Sequence, residues 1–122
     1  MCELTNRTAE CLELVEKTYG GILNAPHPSE ILLNLEHMNR NIFAHATYGR
    51  SYKTVKHIIS LNVNYIGDHS AKYISDVIPH EVAHIVCFDN NMQLDNPHGD
   101  LWMQLCVLMG GDGNEFIALD SR

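Results

Sequence analysis

The sequence predicts an α+β fold in a single domain spanning 1–122: a helix, a small sheet, then two more helices. Three observations carry this. Apolar residues recur at helical spacing near the N-terminus, alternate at strand spacing in the middle, and return to helical spacing after Ser70. Helices segregated from strands along a chain indicate α+β architecture. A length of 122 residues suits one domain and can bury a core without a disulfide scaffold.

Each element has a local reason. Over 5–19, Cys11, Leu12, Val15 and Tyr19 fall on one helical face, and Gly20-Gly21 stops the helix. Pro26, Pro28 and Ser29 mark a turn. The apolar run 31–36 reads as a strand, and 41–49 and 54–63 as two more. In the last of these, Val55, His57, Ile59, Leu61 and Val63 alternate onto one face. Residues 49–53 join them as a hairpin, so the expected sheet is three-stranded and mainly antiparallel.

From Ser70 the apolar positions Tyr73, Ile74, Val77, Ile78, Val82, Ile85 and Val86 follow helical spacing. Pro79 lies inside this run. Proline in a helix interior costs about 3 kcal/mol, so a kink or a fresh start is expected there. Asn96 and Pro97 are the expected N-cap and first residue of a last helix, which runs to about Met109 before Gly110-Gly111.

Charge and cysteine content exclude several classes. Eight basic against fifteen acidic residues leave a net charge of −7, so no whole-surface basic footprint for nucleic acid exists. The distribution is uneven, because Arg40, Arg50, Lys53 and Lys56 fall in a stretch from Glu36 to Asp68 with no acidic residue between. Cys2, Cys11, Cys87 and Cys106 form no C-x-x-C pair, which excludes a zinc ribbon and a thioredoxin motif. No apolar run approaches the ~20 residues of a membrane span. The N-terminus lacks a basic region followed by an apolar core, so a cytoplasmic location with reduced thiols is expected.

Residues 80–84 read His-Glu-Val-Ala-His. On a helix, positions i and i+4 share a face, so His80 and His84 can offer their imidazoles to one metal ion. Neutral imidazole suits Zn²⁺, and a catalytic zinc takes three protein ligands plus water. Glu81, beside the first ligand, is placed to act as general base and then acid. The third ligand defines the subclass. A metzincin would carry Gly and His where this chain has Cys87 and Asn90, so that class is excluded. His98 is the leading candidate, with Asp95, Asp100 and Glu115 as carboxylate alternatives.

Other residues receive plainer readings. His57 lies on the apolar face of a strand and reads as a hydrogen-bonded core histidine. His27, His37 and His45 have no spacing partner. His69 either caps the next helix or lines the cleft. Tyr48, Tyr52 and Tyr73 are candidates for stabilising an oxyanion, although Tyr73 falls at helical spacing with Val77 and reads as core. Trp102 reads as packing.

The stretch Val77-Ile78-Pro79-His80-Glu81-Val82-Ala83-His84, followed by Pro97-His98-Gly99 with Trp102, Leu105, Leu108 and Gly110, resembles the SprT-like metallopeptidases. That family includes bacterial SprT proteins and the DNA–protein crosslink protease Spartan. The resemblance is specific over 77–110 and looser over 40–66. It implies a minimal zincin-like fold, one Zn²⁺ per chain on His80, His84 and His98, and Glu81 as the catalytic residue. It is a resemblance to a minimal version, since the cysteines of a C-terminal zinc ribbon are missing. The implied function is a zinc-dependent endopeptidase acting on proteins or peptides, with DNA-bound or DNA-crosslinked proteins as one substrate class. A regulatory peptidase cutting a repressor-like partner and a non-catalytic zinc module are the alternatives. Arg40, Tyr48, Arg50, Lys53 and Lys56 are the candidate substrate or DNA contacts. A monomer from a bacterium, or encoded by a phage in a bacterial host, is expected.

Overall fold

The computed structural model describes residues 2–39, 41–49, 55–92 and 98–114. Helix α1 (Cys2–Tyr19) buries Leu4, Thr8, Cys11, Leu12 and Val15 on one stripe. It ends where Gly21 takes a positive φ of 83°, a conformation that favours glycine. A short 3-10 turn, Pro28–Glu30, then leads into strand β1 (Ile31–Glu36). His27 caps this turn by accepting from the Ser29 amide, and Glu30 returns a bond to the His27 amide.

Strands β2 (Ala44–Thr47) and β3 (His57–Asn62) complete a sheet of order β1-β3-β2. The sheet is mixed. β2 runs antiparallel to β3, as expected, but β1 runs parallel to it, with Ile31 opposite His57 and Glu36 opposite Asn62. The sequence-based expectation of a mainly antiparallel sheet is corrected in this respect. β3 hides His57, Ile59, Ser60, Leu61 and Asn62, residues from both of its faces, so it takes the centre and β1 and β2 take the edges. The chain reverses between β1 and β2 and again before β3, so β1 and β3 run the same way.

The strands are shorter than 41–49 and 54–63. Asn62 ends β3 by accepting the Asn64 amide (3.0 Å) and capping α2 (Val63–Ile66), which draws Val63 out of the sheet. Its Nδ2 donates to the Asn39 and Ile42 carbonyls (3.0 and 2.6 Å), which satisfies a fully buried amide.

A helical run follows: α3 (Ser70–Lys72), a π-turn (Tyr73–Val77) and α4 (Ile78–Asp89). The π-turn sits where Pro79 predicted a disturbance. The Ile78 amide reaches back five residues to the Tyr73 carbonyl, and the widened turn makes room for a proline ring that lacks an N–H. Tyr73 is buried as expected, and its hydroxyl donates to the Phe43 carbonyl (2.8 Å). α4 forms the centre of the molecule, with every residue from Ile78 to Cys87 buried. Helix α5 (Asp100–Leu108) packs against it through Trp102, Leu105 and Cys106. Its N-cap is Gly99; the expected cap residues Asn96 and Pro97 lie outside the described residues. Among the described residues, no helix is long and apolar enough to cross a membrane.

Arg7 fastens α1 to the rest. Its Nε donates to the Ile74 carbonyl in the π-turn (2.9 Å), and its Nη2 donates to the Met109 carbonyl at the end of α5. Gly110, at φ 92°, leaves room for that guanidinium. Removing the charged donor strands two carbonyls. Arg7→Gln is therefore expected to lower stability by about 2 kcal/mol in urea denaturation. A change within experimental error would show that the clamp contributes nothing net.

Candidate metal centre

α4 places His80 and His84 one turn apart on the same face. His98 enters from the turn before α5, fourteen residues on. The three rings meet through the same atom. His84 Nε2 lies 3.3 Å from His80 Nε2 and 3.0 Å from His98 Nε2. Among the described residues this is the one group whose ligand atoms could hold a metal ion, all within 4.8 Å of one another. Zinc fits this spacing, because tetrahedral geometry with bonds of about 2.05 Å puts ligand nitrogens about 3.3 Å apart.

Trp102 holds the arrangement together. Its ring centroid lies 4.8 Å from His80, 5.5 Å from His84 and 4.8 Å from His98. Its indole N–H donates to the His80 carbonyl (3.1 Å). A residue expected to pack therefore packs directly on the site. Gly99, at the mouth of α5, sits between His98 and the helix that carries Trp102.

Burial controls the charges here. His80 and His84 are 8% and 7% exposed, and Glu81 is 6% exposed. Desolvation, with smaller contributions from the neighbouring rings of His84 and His98, lowers the His80 pKa to about 3; the Asp112 carboxylate opposes it. His80 is thus neutral at physiological pH, the form in which imidazole binds a metal. Its Nδ1 is buried with no hydrogen-bond partner among the described residues. Desolvation pushes Glu81 up to about 8, so burial favours the protonated acid. A nearby divalent cation would act in the opposite direction.

Of the candidate contacts, Tyr48 comes close to the centre. Its ring stacks on Phe88 of α4 (4.8 Å, 10° between planes), and burial, then the Glu81 charge, raise its hydroxyl pKa. Lys56 does not join the site. It is exposed and paired with Glu30 (2.9 Å), and hydrogen bonding to that carboxylate lowers the Glu30 pKa. Arg40, Arg50 and Lys53 lie outside the described residues, as do Tyr52, Asp95 and Glu115. Asp100 is exposed at the start of α5. The converging ligand atoms do not include its carboxylate, and His98 takes the third position.

The remaining histidines lie elsewhere. His57 is a satisfied core histidine, bonded through both ring nitrogens to Asp89 and Gly49. His45 faces Glu36 (3.5 Å) and His27 caps a turn. His69 precedes α3 without capping it and rests edge-on to Tyr65. Two features had no sequence signal. Asp89 pairs with a residue 32 positions away. Asn90 uses its side-chain amide to bond both backbone groups of Asn24 (2.8 Å each) and the Val86 carbonyl (2.7 Å), tying a distant loop to the end of α4.

Comparison with known proteins gives one match. The model of the SprT-like family matches residues 13–117. No curated protein and no solved structure matches the chain.

The two shifted groups predict how the metal-free protein responds to pH. His80 resists protonation when folded, so it contributes stability above its ordinary pKa of 6.5 that is lost as pH falls towards 3. Glu81 retains its proton when folded, so it contributes stability below its ordinary 4.5 that is lost as pH rises through 8. Chelator-treated protein should be most stable between about pH 4.5 and about 6.5 in urea denaturation, declining on both sides. A steady rise in stability up to about pH 8 would contradict the buried state of Glu81.

Proposed function

The chain belongs to the SprT-like family, and on that premise we propose that it is a zinc-dependent endopeptidase with Glu81 as general base. The observation that carries the reading is the convergence of three imidazole nitrogens, two of them from a helix that also carries a buried glutamate. The described residues offer three ligands and no fourth, the pattern of a site that keeps one position open for chemistry. A structural zinc site would need a fourth protein ligand and has no use for Glu81.

His80, His84 and His98 would hold the ion, and zinc there would supply Lewis acidity and make water more acidic. Glu81 then takes one proton from the attacking water. As the C–N bond breaks, it gives that proton to the leaving amine, so the carboxylate is regenerated. Its burial keeps bulk water from competing for that proton.

The sheet supplies a way to hold substrate. β2 is an edge strand that packs beside α4, so an extended peptide can add to its free side through main-chain hydrogen bonds. The reading therefore takes unfolded or extended protein segments as substrate. DNA-bound or DNA-crosslinked proteins are one source of such segments, and Arg40, Arg50, Lys53 and Lys56 are the basic residues that would meet the phosphate backbone.

Glu81→Gln should bind zinc like the parent and lose cleavage of a labelled protein substrate by about 10²–10⁴-fold. Cleavage at the parental rate would remove Glu81 from the mechanism. His98→Ala should release zinc to a competing chelator far more readily than the parent. Full retention would shift the third-ligand assignment to another residue.

A further inference from the structure

His57 makes contacts that the hydrolytic reading does not use. It opens β3, is 2% exposed, and bridges two other elements. The Gly49 amide donates to its Nδ1 (3.2 Å), which puts the ring proton on Nε2; Nε2–H then donates to Asp89 Oδ1 (2.9 Å). Asp89 is the last residue of α4, the helix that carries His80, Glu81 and His84. Gly49 follows β2 and takes a positive φ of 70° where the chain turns away from the sheet. One buried ring thus ties the end of the metal helix to the end of the edge strand.

Aromatic packing closes the same knot. Tyr48 and Phe88 stack, and His57 meets both edge-on, at 6.3 and 5.8 Å. Phe88 lies seven residues, or two turns, beyond Glu81, so the two share a face of α4. The Tyr48 ring therefore lies along the face that carries Glu81, between the edge strand and the helix. A Cβ added at Gly49 would lie 3.6 Å from Phe88 Cζ, an ordinary contact, so it is the positive φ and not crowding that favours glycine there.

We infer that His57 is a positioning residue: through Asp89 and the Gly49 amide it fixes the end of β2 and the Tyr48 ring against the metal helix, which sets how the peptide-binding edge strand lies relative to the three imidazoles. The inference rests on the peptidase reading and adds to it the residues that shape substrate binding. Asp89 lies five residues past His84, about 7.5 Å along the helix, so the knot is separate from the ligand set. Its loss is expected to fall on substrate binding and to spare the metal.

The test uses the full zinc-loaded chain and fluorescently labelled casein, with zinc affinity measured in parallel by chelator competition. His57→Ala and Tyr48→Leu should each raise KM about five- to tenfold, with kcat changed less than about twofold and zinc affinity unaltered. His57→Gln should recover most of the loss, because its amide can accept from Gly49 and donate to Asp89. Unchanged KM in both disruptive variants would overturn the inference. So would a joint fall in kcat, substrate binding and zinc affinity, which marks a merely structural role. If His57→Ala does not fold, Tyr48→Leu decides, and a parental KM there overturns the inference. Failure of the peptidase reading looks different: the parent does not cleave, or Glu81→Gln cleaves equally well.

Discussion

Three imidazole nitrogens converge on one point, with Glu81 buried on the helix that carries two of them, and much of the molecule is arranged to keep them there. Nε2 atoms at 3.0 and 3.3 Å crowd one another, and burial makes charging His80 costly. Their natural counterpart is a cation. The surroundings are correspondingly rigid. α4 is buried along most of its length, Trp102 packs against all three rings, and its indole fixes the His80 backbone. Local order of this kind holds ligands near productive geometry without requiring the ion to organise them.

That constraint explains several features of the fold. A helix buried on all sides needs cover from more than one layer. α1, α5 and the sheet each supply part, and Arg7 joins two of them by binding carbonyls in the π-turn and at the end of α5. The π-turn accommodates Pro79 immediately before His80, so the helix restarts in regular geometry where the ligands begin. At the other end, Asn90 and Asp89 tie α4 to a loop and to β3. The metal helix is thus anchored at both ends and packed along its middle.

Much of the site was legible in the sequence because its signals are local. The His-Glu-Val-Ala-His spacing encodes a helical face, and the apolar residues around it imply burial. His98 was legible through its place in a short segment opening the next helix. The sheet was less so. Strand periodicity identifies faces, but which strand takes the centre, and hence that β1 pairs with β3 and not with its neighbour in sequence, is a property of the whole packing. The Asp89–His57 bond joins residues 32 apart, and nothing in either local pattern announces it. The partner of Lys56 was not legible either: its ammonium meets Glu30, which no charge count along the chain would pair with it.

X-ray absorption at the zinc edge of the loaded protein reads the proposed open site of three imidazoles on one zinc. One zinc per chain is expected, with three imidazole nitrogens at about 2.0–2.1 Å and one non-protein oxygen. A sulfur ligand at about 2.3 Å, or a closed shell of four protein ligands, would contradict it.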